Sequence, residues 1–447
     1  MPKNSITKDF TQGSVAKQLL WFTLPFMASN ALQVLYSTID MIIVGKFVGT
    51  AGLSAVSQSS QILNFATMVC LGFSNGGQVL ISQALGAGKY KELNQIIGTL
   101  FSLIAILAVA LSGVFLTARE WIMSVMNIPV ESHDFAVEYL VICGAGLVFT
   151  AGYNMVSAVL RGMGDSKRPL LFVGVASVVN LILDILFTGI LGWGVAGAAW
   201  ATAIGQVAGG MVPLAYFARK NSSLLQITGT RLNWPVLFKT ITNGSSDMVS
   251  VLSASIITAL YNYQLLSIAG EDGVAAYGAI MYVTFIFMSI YLGYASGSAP
   301  LISFQYGAKN HGELHNLVRK SIILMLGLGG IITVVAELAA EPLLGAFVGY
   351  DQELFSLTVH GYCMYVLAFL LMGLNIWGAA LFTALNNGLV SAAISFLRTF
   401  GFEMAAVLLL PIWLGIDGIW ISIFVAELCT CFITVYFMVS KREVYHY

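Results

Sequence analysis

The sequence predicts an all-α integral membrane protein: twelve transmembrane helices in two six-helix bundles, related by a pseudo-two-fold axis along the membrane normal. Three observations lead there. Of 447 residues, 58% are hydrophobic and only 9% charged, with a mean hydropathy of +0.86, whereas soluble domains carry about a quarter charged residues. Apolar runs long enough to cross a bilayer recur along the whole chain. An internal repeat divides those runs into two sets.

The runs fall near residues 15–45, 52–82, 93–117, 135–160, 169–191, 194–218, 236–269, 274–303, 316–340, 355–384, 389–412 and 418–440, separated by Gly, Pro or charged residues. The segment before them, Met1 to Gly13, is polar, and no small-residue cleavage site follows the first run, so a removable leader is not expected. Pro25 lies well inside the first run, where a missing N–H should make the helix bend as a hinge. Pro169 and Pro235 fall in first turns, where that loss costs nothing. Cys70, Cys143, Cys363, Cys429 and Cys431 all sit inside apolar runs without metal-ligand spacing and read as buried thiols.

Basic residues orient the runs. With the N-terminus inside, every Lys and Arg except Lys46, Arg119 and Arg398 falls in an inner loop or inner helix end, while Glu120, Glu131, Asp134, Glu271, Asp272, Asp351, Glu353 and Asp417 fall outside. Both termini are therefore expected in the cytoplasm, with the chain multi-pass in the plasma (inner) membrane.

Leu71, Gly72 and Gly76 recur as Leu292, Gly293 and Gly297, Leu80-Ile81-Ser82 as Leu301-Ile302-Ser303, and Gly194 and Gly197 as Gly415 and Gly418, always at 292 − 71 = 221 residues. An even number of runs per half inserts both halves in the same direction, with a cavity expected between them. The expected divisions are an N-terminal lobe over residues 1–218, a polar linker over 219–234 and a C-terminal lobe over 235–447.

Within this frame a few polar residues stand out. Asn180 and Asp184 are four residues apart and share one helix face, and Asp40 lies in the first run. A centred Asp costs about 2.5–3.5 kcal/mol on insertion scales, so an intramembrane acid reads as functional unless something local satisfies it. The repeat sharpens this. At the 221-residue offset Asp40 meets Tyr261, Asn180 meets Gly401, Asp184 meets Ala405 and Thr202 meets Ile423, so these polar groups belong to one half and the shared architecture does not demand them. Gln33 and Tyr36 precede Asp40 on its face, Gln206 follows Thr202 by one turn, and Tyr139 and Asn154 on the fourth run could join the same interior. Two carboxylates among amide and hydroxyl oxygens suit a small hard cation such as Na⁺, or a proton kept on one of two mutually repelling acids.

In the other half, Arg398 and Glu403 on the eleventh run and Glu427 on the twelfth read first as a structural ion pair, since the Arg can neutralise an acid outright. Glu427 matches Gln206 in the repeat, so polarity there is partly architectural. Tyr277, Met281, Phe285, Met288 and Tyr291 recur at three- and four-residue steps on the eighth run. Rings and thioethers of this kind suit flat or cationic ligands, although ordinary helix packing explains the same stripe.

Pro25 with Ser37-Thr-Ile-Asp40, the following Val44-Gly45 and Val48-Gly49, Gly52-Leu-Ser-Ala-Val-Ser57, and Arg161-Gly-Met-Gly-Asp165 through Pro169 to Asn180 and Asp184 together resemble the multidrug and toxic compound extrusion (MATE) family, over nearly the whole chain. The resemblance implies two lobes and drug efflux by alternating access against a Na⁺ or H⁺ gradient. Similarity to the DinF-like branch implies a cation site at Asp40, Asn180, Asp184 and Thr202 with Tyr139 nearby. The acid that the NorM-type branch carries on its seventh helix has no counterpart between Val249 and Leu260. The expected function is cation-coupled export of organic, cationic or amphipathic compounds. The expected partners are those small molecules and membrane lipid, not nucleic acid, and the protein is expected to work as a monomer with no cofactor beyond the coupling ion. A flippase for a lipid-linked precursor is the alternative, and it would need cationic side chains between the lobes for pyrophosphate. No nucleophile motif or His cluster points to an enzyme.

Overall fold

The computed structural model describes residues 15–126, 128, 130–218, 232–349 and 351–447. The polar N-terminal segment and most of the expected linker lie outside the described residues. The first half contains α1 (Val15–Phe47), α2 (Thr50–Gly86), α3 (Tyr90–Thr117), the short α4 (Arg119–Val125), α5 (Val130–Gly162), α6 (Lys167–Asp184) continued by a π-helical segment (Ile185–Ile190), and α7 (Gly194–Ala218). The second contains α8 (Trp234–Gly307), α9 (His311–Leu338), the short α10 (Ala340–Val348), α11 (Gln352–Val366), α12 (Phe369–Ala384), α13 (Gly388–Phe396) with a π-helical segment (Leu397–Glu403), α14 (Met404–Leu414) and α15 (Ile416–Tyr445). Among the described residues eight helices are long and apolar enough to cross a membrane, or nine when α11 and α12, bent by 51°, form one span. The 74-residue α8 holds two of the expected runs, divided by non-helical backbone at Gly270. Pro25 sits inside a helix assigned without a break from Val15 to Phe47.

Burial is inverted relative to a soluble helix, and α6 shows it most plainly. Leu171, Val175, Val178 and Ile182, at helical spacing, are 65, 51, 57 and 58% exposed, while Val173, Asn180 and Asp184 on the opposite side are buried. An apolar stripe facing outwards and a polar face turned inwards is what lipid as solvent selects.

The repeat reappears in the backbone. Gly49 (φ 88°) and Gly270 (φ 68°), Gly88 (φ 69°) and Lys309 (φ 54°), and Gly194 (φ 61°) and Gly415 (φ 59°) are left-handed pairs separated by 270 − 49 = 309 − 88 = 415 − 194 = 221 residues. At Gly49 (ψ −168°) and Gly270 (ψ −152°) the conformation lies in a region that only glycine enters without strain, so the first turn of each half carries a required glycine. Hydrogen bonding repeats too: Ser82 Oγ donates to the Gly162 carbonyl at 2.9 Å, and Ser303 Oγ donates to that of Ala384 at 2.9 Å.

Two compact units follow from the contacts: Trp21–Gly244, and Ser245–Tyr447 together with residues 15–20. In the first unit, serines on α2 and α3 donate to carbonyls of α5, Ser59 to Ala136 at 3.1 Å and Ser112 to Gly144 at 2.8 Å. Small residues bring helices together without a hydrophobic driving force, and the start of α8 joins this unit by such a contact. A Cβ on Gly76 would stand 2.2 Å from the Thr240 carbonyl oxygen, and one on Gly244 2.5 Å from that of Gly72. In the second unit, Tyr291 donates to the Phe369 carbonyl at 2.9 Å over the bare backbone of Gly373, and Trp377 Nε1 donates to Ser298 Oγ at 3.2 Å. The five cysteines are free, and only Cys70 is fully enclosed; the other four are half-buried, because they lie on helix faces shared between packing and the exterior.

Candidate functional site

Four helices of the first unit bring their polar side chains to one place. The last turns of α1 pack Val44 against Val56, Tyr139, Val195, Ala198 and Ala199, which sets Asp40, one turn earlier, facing the interior. Close approach of α6 to α7 depends on missing side chains: a Cβ on Gly205 would stand 2.9 Å from both the Ala176 carbonyl oxygen and Asn180 Cβ, and one on Gly209 2.9 Å from Ala176 Cβ. Asn180 Nδ2 thereby reaches Thr202 Oγ1, donating at 3.3 Å.

Asp40 and Asp184 are 8 and 1% exposed, and their carboxyl groups come within hydrogen-bonding reach of each other, with Asn180 beside Asp184. Asp40 Oδ1 and both carboxyl oxygens of Asp184 have no hydrogen-bond donor among the described residues. Two buried carboxyls turned towards each other with bare oxygens require a positive species between them, a proton or a metal cation. Tyr139, 4% exposed on α5, approaches Thr202 and Ser60. Cys143, one turn along the same face, points its thiol at the Ala199 carbonyl at 3.7 Å. Asp40, Asn180, Asp184, Thr202 and Tyr139 are thus gathered in one cluster of hard oxygen donors, which fits Na⁺ and fits a shared proton equally well.

The accessory residues spread further. Tyr36 is half-buried one turn before Asp40, within reach of Gln33 and Ser37, and Gln33 itself is exposed. Gln206 accepts a hydrogen bond from Thr150 Oγ1 rather than joining Thr202. Asn154 is buried, but fifteen residues beyond Tyr139, or about 22 Å along α5, so the two do not meet. The stripe on α8 is divided: Tyr277 and Tyr291 are buried, Met281 and Met288 half-buried, and Phe285 59% exposed. Tyr277 stacks on Tyr261 with ring centroids 4.8 Å apart, and Tyr365 OH approaches Met281 Sδ at 3.6 Å, so its inner members are packed by neighbouring rings.

One charged group differs from its expected surroundings. Arg161, counted above with the inner-loop bases, is 9% exposed; its Nε donates to Gln78 Oε1 at 3.1 Å and its guanidinium lies over the Phe26 ring at 4.7 Å. Only its place after a buried helix face hinted at this, since its partners are distant in sequence. In the second unit Arg398 pairs with Glu427, through Nε at 2.7 Å and Nη2 at 2.5 Å, and Asn375 Nδ2 adds a bond at 2.7 Å. Glu403 is left out of that pair.

Comparison with known proteins agrees with this architecture. Among curated relatives, the probable multidrug resistance protein YoeA of Bacillus subtilis (strain 168) is 26% identical over 93% of this chain and 92% of its own. The multidrug export protein MepA of Staphylococcus haemolyticus is 23% identical over 97 and 95%. The probable multidrug resistance protein YpnP of Bacillus subtilis is 36% identical, over 44% of each chain. Among solved structures, a MATE protein crystallised in the bent conformation superposes with a TM-score of 0.92 at 22% identity, covering 98% of both chains. An outward-facing multidrug resistance MATE family transporter of the MOP superfamily gives 0.92 at 22% identity over 100 and 99%. The MatE family model matches residues 25–186 and 248–408, one copy in each half. The chain is a member of the MatE family of transporters.

Proposed function

We propose that the protein is a Na⁺- or H⁺-coupled antiporter that exports organic cations or amphipathic compounds by alternating access, monomeric in the inner membrane with both termini in the cytoplasm. The observation that carries this reading is the buried contact between Asp40 and Asp184 with unpartnered oxygens. The names of the relatives, multidrug resistance and multidrug export proteins, support the substrate class, and the DinF-like placement of the acids belongs to the same proposal.

The coupling follows from elementary electrostatics. Two ionised carboxylates about 4 Å apart repel by about 4 kcal/mol at an effective dielectric constant of about 20. A cation or proton between them removes that repulsion and draws α1 towards α6; its loss pushes them apart. A bias of about 4 kcal/mol corresponds to a roughly thousandfold change in the balance between two states, enough to make ion and substrate favour different conformations. Pro25, fifteen residues before Asp40 on α1, weakens that helix where such a movement would bend it. A lipid-linked pyrophosphate would need free cationic groups, and Arg398 is held by Glu427, which favours the antiporter over the flippase.

The test is efflux of a fluorescent organic cation from oriented vesicles, driven separately by a Na⁺ gradient and by a pH gradient. One of the two gradients is expected to drive export in the native protein and to fail in Asp40→Asn and Asp184→Asn. Undiminished gradient-driven export in both folded variants would refute the reading.

A further inference from the structure

The second unit buries one acid more than its base can neutralise. Glu427, 1% exposed, takes both guanidinium contacts of Arg398 on Oε1 and the amide of Asn375 on Oε2. Glu403, 9% exposed, ends the π-helical segment that also carries Arg398, and no ion pair reaches it among the described residues. The group that approaches it is the phenol of Tyr261, a side chain with no exposed surface whose hydroxyl has no hydrogen-bond partner among the described residues. The surrounding titratable groups are few: Tyr261 and Tyr277 from α8, Tyr365 from α11, Arg398 on its own helix and Glu427 from α15.

Position in the repeat gives this contact meaning. Tyr261 is the counterpart of Asp40, 261 − 40 = 221, and Glu403 lies within two residues of the counterpart of Asp184, 403 − 184 = 219. A π-helical turn adjoins each acid, after Asp184 in one half and up to Glu403 in the other. The second half therefore rebuilds the Asp40–Asp184 contact with a phenol in place of one carboxyl. One guanidinium and two carboxylates leave a net negative charge in a dry interior, which a neutral phenol cannot cancel. A metal ion would find one free carboxyl beside a guanidinium, a poor donor set. A proton needs neither room nor further ligands, and it turns Glu403 into a donor for the unpartnered oxygen of Tyr261.

We propose that Glu403, facing Tyr261, is a second proton-carrying site, which binds and releases one proton independently of the acid pair in the first half. The proposal stands on its own geometry and does not require Asp40 and Asp184 to couple transport.

Infrared difference spectroscopy of the full chain in lipid, taken between about pH 10 and about pH 6, above the range in which exposed Asp and Glu take up protons, tests it. The Asp40→Asn/Asp184→Asn double variant is expected to keep one titrating carboxylic-acid carbonyl band, and adding Glu403→Gln to remove it. Tyr261→Phe should keep the band but shift both its frequency and its titration midpoint. A band that survives Glu403→Gln, or no titrating band in the double variant, overturns the proposal. If Glu403→Gln does not fold, an unchanged band in Tyr261→Phe overturns it equally. Failure of the first site's reading is seen separately, as identical bands in the native protein and the double variant.

Discussion

Replacing Arg398 with methionine keeps the stem of the side chain but removes the guanidinium that holds Glu427 through two contacts, at 2.7 and 2.5 Å. Glu427 is 1% exposed and Arg398 18%, so water can reach neither group well enough to replace the partner. The remaining support is Asn375, whose Nδ2 bonds Glu427 Oε2 at 2.7 Å and the Glu427 carbonyl at 2.8 Å. One neutral amide does not compensate a buried carboxylate, and removing one member of such a pair costs about 3–5 kcal/mol. Arg398→Met is therefore expected to destabilise the protein by that amount. The double variant Arg398→Met/Glu427→Gln should recover about 2–3 kcal/mol of the summed single costs, the coupling expected of a contacting buried pair. Reversible unfolding in mixed micelles with a denaturing detergent, on all four members of the cycle, measures it. Costs that simply add, within about 0.5 kcal/mol, would refute the assignment of Arg398 to Glu427.

Backbone and packing give further expectations. Gly270→Ala places a side chain at φ 68°, ψ −152° and should cost about 1–3 kcal/mol, read as a lower midpoint in the same unfolding assay. Gly76→Ala brings a Cβ to 2.2 Å from the Thr240 carbonyl oxygen and should destabilise by about 1–3 kcal/mol through forced separation of α2 from α8. In Gly113→Ala nothing lies within 4 Å of the new Cβ, so helix propensity alone should stabilise by about 0.5–1 kcal/mol; equal effects at the two sites would count against the packing argument. Arg161→Lys should destabilise nearly as much as Arg161→Met, because a Lys ammonium supplies neither the flat stacking on Phe26 nor the fixed bond to Gln78; rescue of thermal stability by Lys would contradict this.

Much of this was legible in the sequence because membrane solvent punishes polarity uniformly. Charge depletion announced the class, and the 221-residue offset found from Gly72, Gly76 and Ser82 reappears in backbone torsions at Gly49 and Gly270, which no composition measure sees. Asp40, Asn180, Asp184, Thr202 and Tyr139 lie in one cluster, and asymmetry between the halves together with the family resemblance pointed to them. The second half was harder to read. Arg398 and Glu403 share a π-helical segment, whose turn is wider than the 3.6 residues of an α-helix, so α-helical spacing could not say that Arg398 reaches across to Glu427 on another helix while Glu403 is left to Tyr261. A comparison of halves at a fixed offset set Ala405 against Asp184 and so passed over Glu403, two residues away. The stripe from Tyr277 to Met288 spans a broad arc, and spacing could not say that Tyr261 covers one edge while Phe285 remains exposed. Arg161 was hidden because its partners, Phe26 and Gln78, are brought to it only by helix packing.

In the proposed mechanism, one ion site at Asp40 and Asp184 is energetically linked to the exported substrate. Linkage is reciprocal, so a substrate gradient imposed on sealed proteoliposomes must drive the coupling ion in the opposite direction with no ion gradient present. Substrate-driven movement of Na⁺ or H⁺ is expected in the native protein and none above background in Asp184→Asn, a variant expected to keep substrate binding. Ion movement of native size in folded Asp184→Asn would contradict it.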